Sequence, residues 1–295
     1  MMNDGNKNHG SYEISYAING IRYFINKDEK TASVYECINS NIDIYIPRSI
    51  KYESIEYPVT SILPNAFYQM KSIKIQFAPD SQIQSIYTEA FCFSSIESIS
   101  FPSSLIKLQP NWYNSSIKKI SISPNNPYYS LYENTFILKK SSLEKENFDV
   151  LIFVTNKSIE KAVIPSYIEI IESCAFELCY NLRKIEISDD SKLRIINEDA
   201  FSFSNIDSLY IPASLVELKK GWCNKIEKLT HIKISSNNQR YIYLNETYIL
   251  EKSDQNSDIY DTIVFARRDI QTAVIPSFIK IIGQYAFNSC KSLTK

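Results

Sequence analysis

The chain has 295 residues, 44% of them hydrophobic, and its 32 Lys and Arg nearly balance 33 Asp and Glu, for a formal net charge of −1. That balance gives no global electrostatic case for nucleic acid or an anionic membrane. No stretch is apolar enough to predict a membrane-spanning helix, and 21 Tyr and 15 Phe beside only 5 Gly favour pleated, half-buried strands over long helices.

Residues 1–11 are polar and are predicted to be a disordered tail. They hold no apolar segment of a secretion signal, so on that ground the chain is expected in the cytoplasm. Residues 12–56 are predicted to form an N-terminal β cap. Tyr12 to Ile18, Asn19-Gly20 and Ile21 to Ile25 spell a hairpin, because Asn-Gly suits a type I′ turn. A stacked fold needs such a cap to keep its first apolar edge out of water.

Residues 57–295 are predicted to be a solenoid of stacked units. Ala-Phe recurs at Ala66-Phe67, Ala90-Phe91, Ala175-Phe176, Ala200-Phe201 and Ala286-Phe287. Trp112 and Trp222 stand where a further Ala-Phe would fall, so the unit is about 21–25 residues long, within the leucine-rich-repeat range. In Leu182 to Ile187, alternation points Ile185 and Ile187 inward and Lys184 and Glu186 outward. Asn197-Glu198-Asp199 before Ala200-Phe201 predicts one capped helical turn that inserts Phe201 into the core. One unit buries too little apolar surface to offset the entropy of ordering its backbone, so neighbours must stack. Trp112 and Trp222 are read as core plugs of shortened units rather than stacking platforms for a ligand.

A longer repeat of about 110 residues overlies the short one. Ala162 to Phe176 returns as Ala273 to Phe287, and Asn125-Asn126 returns as Asn237-Asn238. Thr135 to Leu138 matches Thr247 to Leu250, and Leu151 to Val154 is aligned with Thr262 to Phe265. These apolar runs predict β-hairpins projecting from the solenoid, with tips at Ser141 to Asn147 and Ser253 to Asp258. The sequence reaches Lys295 where another strand is due, so the last unit is expected to be incomplete.

Little here suggests chemistry. His9 lies in the polar tail and His231 on a predicted strand, with no nucleophile–base arrangement around either. Asp189-Asp190 reads as a solvated turn rather than a metal site, and no glycine motif would cradle a phosphate. The six cysteines, Cys37, Cys92, Cys174, Cys179, Cys223 and Cys290, lack zinc-site spacing and are expected as buried reduced thiols. The sequons at Asn114, Asn156 and Asn245 are attributed to chance in an Asn- and Ser-rich chain. No catalytic residue, metal or cofactor is assigned.

The candidate site is the outward side of the strands. Lys74 and Gln76, Ser98 and Ser100, Lys119 and Ser121, Lys184 and Glu186, Ser208 and Tyr210, and His231 and Lys233 are predicted to form two columns. Tyr210 is the single aromatic residue among them.

These motifs resemble the BspA-like leucine-rich repeats of microbial surface antigens and adhesins. Ile164-Pro165 through Ile168, Ile171, Ala175-Phe176, Cys179, Leu182, Ile185 and Ile187 follow that family's pattern, and Ile275-Pro276 to Leu293 follows it again. The resemblance, covering about residues 12–295, implies a non-enzymatic protein-binding scaffold at the cell surface whose partners are host or extracellular-matrix proteins. The alternative is an intracellular interaction scaffold of the same fold, suggested by the missing signal and the thiols.

Overall fold

A computed structural model of the chain describes residues 12–38, 43–113, 115–254 and 256–294. The predicted tail with His9, and the sequon asparagine at 114, lie outside the described residues. The described chain is built of strands and turns without a helix, and it divides into two compact units, residues 1–127 and 128–295.

In the first unit, Tyr12–Ile18 and Ile21–Asn26 form the predicted hairpin, with Asn19 and Gly20 at φ 51° and 79°. Thr31–Cys37 extends it antiparallel and then pairs parallel with Ile55–Ile62. The same sheet continues through Ser85–Ile86 and Lys107–Leu108. A second sheet stacks Asp43–Ile46, Ile73–Phe77, Ile96–Phe101 and Lys119–Ile122, all parallel. Each full turn of chain therefore adds one strand to both sheets, which defines a β-solenoid. Asp43–Ile46 lies within the segment predicted as a cap, yet it is already a rung of this second sheet. Ile44 and Ile46 are buried while Asp43 and Tyr45 are exposed, the same alternation as at Ile73 to Gln76 in the next rung.

The second unit repeats the plan. Lys161–Val163, Lys184–Glu186, Ser208–Ile211 and His231–Ile234 form one parallel sheet. On another side, Tyr129–Tyr132, Phe136–Lys139 and Val150–Val154 form an antiparallel meander. This meander continues in parallel through Ile170–Ile171, Ile195–Ile196 and Glu217–Leu218. A second meander, Tyr241–Leu244, Tyr248–Glu251 and Thr262–Ala266, leads to Ile281–Ile282. The hairpins thus do not project from the solenoid. Their strands bury Phe136, Ile137, Leu138 and Leu151, because Val150–Val154 must supply the edge on which the next rung pairs. The pairing also corrects the alignment of the copies: Val150, not Leu151, corresponds to Thr262, since these two sit opposite Ile170 and Ile281. A slip of one residue exchanges the two faces of a strand.

The predicted helical turn is absent. Around Ala200-Phe201 the chain makes successive four-residue turns, with Ala200 N donating to Asn197 O, Ser202 N to Asp199 O and Ser204 N to Phe201 O. Asp199 and Phe203 adopt φ 55° and 57°, and left-handed residues so close together leave no room for a helix. The corner is joined to its neighbours by backbone hydrogen bonds, Phe67 N to Ala90 O, Phe91 N to Trp112 O, Phe176 N to Ala200 O and Phe201 N to Trp222 O, with side-chain bridges such as Asn197 Nδ2 to Glu172 Oε1 beside them. Inside it the rings form a column. Phe67 stacks on Phe91 at 4.9 Å and Phe91 meets Trp112 edge-on at 5.8 Å. Phe176, Phe201 and Trp222 follow at 5.3 and 6.1 Å in the second unit. Both tryptophans are buried, in line with the phenylalanines they replace.

Two polar clamps recur. Asn126 Nδ2 donates to the Pro102 and Leu105 carbonyls, and Asn238 Nδ2 to those of Pro212 and Leu215. At the hairpins, Asp149 accepts the Ser141 amide at 2.8 Å and Asp261 accepts the Ser253 amide at 2.9 Å. None of the six cysteines is in a disulfide; Cys179 and Cys223 are buried and the other four are half-buried. Burial pushes the Cys223 thiol up to about 11, although its sulfur accepts an Arg268 N–H at 3.3 Å.

Candidate functional site

The outward positions align as the alternation requires. In the first unit, Asp43, Lys74, Ser98 and Lys119 are register partners from strand to strand, Tyr45 is paired with Gln76, and Ser100 with Ser121. The two serine hydroxyls share a hydrogen bond at 2.7 Å. In the second unit, Lys161, Lys184, Ser208 and His231 form one ladder, while Val163 pairs with Glu186 and Tyr210 with Lys233. All twelve predicted positions therefore lie on strands of these two sheets, and within each unit the register brings them side by side.

Four positions escaped the sequence reading: Asp43, Tyr45, Lys161 and Val163. A signal for them existed. Tyr45-Ile46-Pro47 repeats Tyr210-Ile211-Pro212, and Lys161-Ala162-Val163 precedes Ile164-Pro165, so Ile-Pro marks the strand end each time. Tyr210 is consequently not the single aromatic residue on these ladders, because Tyr45 is 54% exposed.

Charge is locally compensated. Glu186 receives Lys161 and Lys184, each at 2.8 Å, and these bonds, that of Lys161 foremost, hold its carboxyl below the usual carboxylate range. Lys74 reaches Asp43 at 3.6 Å. Such exposed pairs contribute little to folding stability. Tyr210 has its phenol raised chiefly by a hydrogen bond with the Asp189 carboxylate, which gives that residue of the Asp189-Asp190 turn a partner. Lys233 Nζ lies 5.8 Å from the Tyr210 ring centroid and has no carboxylate partner among the described residues. His231 is exposed, with Nδ1 3.0 Å from the Thr230 hydroxyl.

The ladder face of the second unit is also hollowed. A cavity of about 530 Å³ has Ser208, Tyr210, His231 and Lys233 on its floor, and Tyr243 and Arg267 in its wall. Among the described residues, no group of three or more His, Cys, Asp or Glu is placed to hold a metal ion. The arrangement offers aromatic rings, hydrogen-bond donors and cationic side chains, which suit non-covalent recognition.

The sequence matches the family profile described as BspA type leucine rich repeat region, in 6 copies, over residues 40–152 and 151–294. Among solved structures, a leucine-rich repeat protein from Eubacterium ventriosum superimposes with a TM-score of 0.50 at 16% identity, over 97% of this chain and 91% of that one. The pneumococcal vaccine antigen PcpA gives 0.46 at 20% identity over 96% of this chain, which spans 63% of the antigen's chain. A leucine rich cell surface protein from Faecalibacterium prausnitzii gives 0.45 at 16% identity, over 97% and 76% of the two chains. The search of curated proteins returns no match.

Proposed function

Since the chain belongs to the BspA-type leucine-rich-repeat family, we propose that it is a non-enzymatic protein-binding scaffold of the surface-antigen or adhesin type. Host or extracellular-matrix proteins would bind to the outward face of its parallel sheets. One observation carries the reading: the outward residues of successive rungs stand in register, while the inward ones form the core. A repeated scaffold with a variable outer column can change its partner without changing its fold. The antigen and cell-surface names attached to two of the similar structures agree with this reading. The hairpin layer at Tyr12–Cys37 would serve as the entry cap, since its last strand pairs with Ile55–Ile62, where Val59 and Ile62 are buried.

Binding energy at such faces concentrates in aromatic residues, which bury much area for little rotamer entropy. Tyr210→Ala combined with Lys233→Glu is therefore expected to weaken capture of extracellular-matrix proteins by purified protein, with the melting temperature unchanged. Undiminished capture by the folded double variant would move the site off this face. Labelling intact cells with a membrane-impermeant reagent tests the placement, because a surface antigen is labelled before lysis. A second reading, an intracellular scaffold using the same face, is favoured by six cysteines of which none is in a disulfide. Disulfides in protein isolated from its native source would count against it.

A further inference from the structure

The wall of the cavity in the second unit holds Arg267 in a fixed pose. Its Nε donates to Asp269 Oδ1 at 2.6 Å and its Nη1 to the Glu246 carbonyl at 3.1 Å. The same carbonyl accepts the Tyr243 hydroxyl at 2.8 Å, so three side chains brace one another. A guanidinium carries five N–H donors in a rigid fork. Two bonds to the wall leave the rest for a ligand, with little ordering left to do on binding.

The wall is peculiar to this copy of the repeat. By register, Tyr243 corresponds to Leu131, Glu246 to Asn134, Arg267 to Thr155 and Asp269 to Lys157. The buried residues beneath are kept: Ile137 and Ile249, Leu138 and Leu250, and Phe153 and Phe265 all lie in the core. The fold therefore does not require the four wall residues, and a recognition site is the kind of constellation that should differ between copies. Across the floor, Lys184 is paired with Glu186, and in the wall Arg267 is paired through Nε with Asp269, but Lys233 has no carboxylate partner among the described residues and the guanidinium keeps unused N–H donors. A planar fork with a second, unpaired cation lining the same cavity matches a carboxylate, which accepts two parallel N–H bonds from arginine.

We propose that this cavity binds an acidic peptide segment, with a side-chain carboxylate on the free donors of Arg267 and Lys233 as the second cationic contact. The proposal rests on reading the outward face as the binding surface and adds the chemistry of what it holds. The cavity is of a size that holds small ligands or a few side chains.

The test is fluorescence anisotropy of a labelled hexaglutamate peptide, with hexaglutamine as the uncharged counterpart, on the full chain. Hexaglutamate is expected to bind, more weakly as salt rises, and hexaglutamine not to bind. Lys233→Glu and Arg267→Gln are each expected to weaken binding by roughly tenfold or more, as loss of a charge-assisted contact does. Arg267→Lys keeps the charge and loses the fork, so it should weaken binding as well. Lys119→Glu, on the face of the first unit, should leave it unchanged. Should Arg267→Gln unfold the wall, shown by a lowered melting temperature, Lys233→Glu still decides, because Lys233 lies on the exposed floor. Equal binding of the two peptides, or hexaglutamate binding indifferent to Lys233→Glu, overturns the proposal. So does capture of dextran sulfate without hexaglutamate, which would assign the cavity to sulfated glycans. If the face captures matrix proteins through Tyr210 while hexaglutamate stays free, the acidic-peptide assignment falls and the proposed function stands.

Discussion

Left-handed backbone occurs twice in each complete Ala-Phe corner, and apart from Asn65 and Asp199 it is borne by residues that do not favour it. Asn65 and Gln69, Glu89 and Phe93, Cys174 and Leu178, Asp199 and Phe203, and Tyr285 and Ser289 all have φ between 55° and 66°. A residue with a Cβ adopts this conformation at a cost of about 1–2 kcal/mol, and the chain has only 5 glycines to place there. Glu89 is exposed, with φ 56°. Glu89→Gly should raise stability by about 0.5–1 kcal/mol, and Glu89→Val should lower it by more than ~1 kcal/mol, since a β-branched residue tolerates positive φ least. Urea midpoints of the two variants check both signs. The hairpin clamp gives a pH dependence. Asp261 is held at about 2, chiefly by the Ser253 amide and then by Lys280 at 3.0 Å. A carboxyl lowered on folding contributes stability that is complete above the ordinary aspartate range, near pH 4, and is lost as pH falls through about 2. Urea midpoints should therefore drop over that window, and Asp261→Asn should flatten the drop while lowering the plateau.

At the level of the rung, stability resides in the ring column. Phe201 is fully buried between Phe176 and Trp222. Phe201→Ala leaves a cavity and should cost roughly 3–5 kcal/mol. Hydrogen exchange should speed up most at the Phe176 and Phe201 amides, which bond from corner to corner, and least in Tyr248–Glu251. A loss no greater than that of an exposed Lys→Ala control would place Phe201 outside the column. The column and the alternating strands were readable in the sequence, because burial imposes a period of two on each strand and one aromatic residue on each corner. The corner's conformation was not. Asn-Glu-Asp before Ala-Phe carries the local signature of a helix start, and the left-handed residue that cancels it is set by hydrogen bonds to the next rung. The alignment of Leu151 with Thr262 failed for a related reason: two runs of apolar residues match equally well one residue apart, and only pairing with Ile170 and Ile281 fixes the register.

Each unit as a whole shows the same division between what is shared and what is free to vary. Ladder positions such as Ser208 and His231 follow from alternation alone, whereas the cavity wall was invisible in the sequence. Tyr243, Glu246, Arg267 and Asp269 share no motif, and they meet because a meander of three strands returns to the face. Asp43 and Tyr45 were hidden by a different cause, since a rung beside a hairpin layer reads as part of that layer. In the last rung, Ile282 is 55% exposed where its counterpart Ile171 is fully buried, because no described strand pairs beyond Ile281–Ile282.

The corner hydrogen bonds join Phe N to the carbonyl of the next Ala or Trp, so one turn reads the next through main-chain atoms that every amino acid supplies. A gene with this property can gain or lose whole turns by unequal crossing-over, and neither flanking turn has to mutate first to accept its new neighbour. The block of about 110 residues that occurs twice here has the form of such a duplication. Its two copies differ at Thr155 and Arg267 above cores that still match, so the outer surface of one copy can change while the shared core goes on holding the chain together.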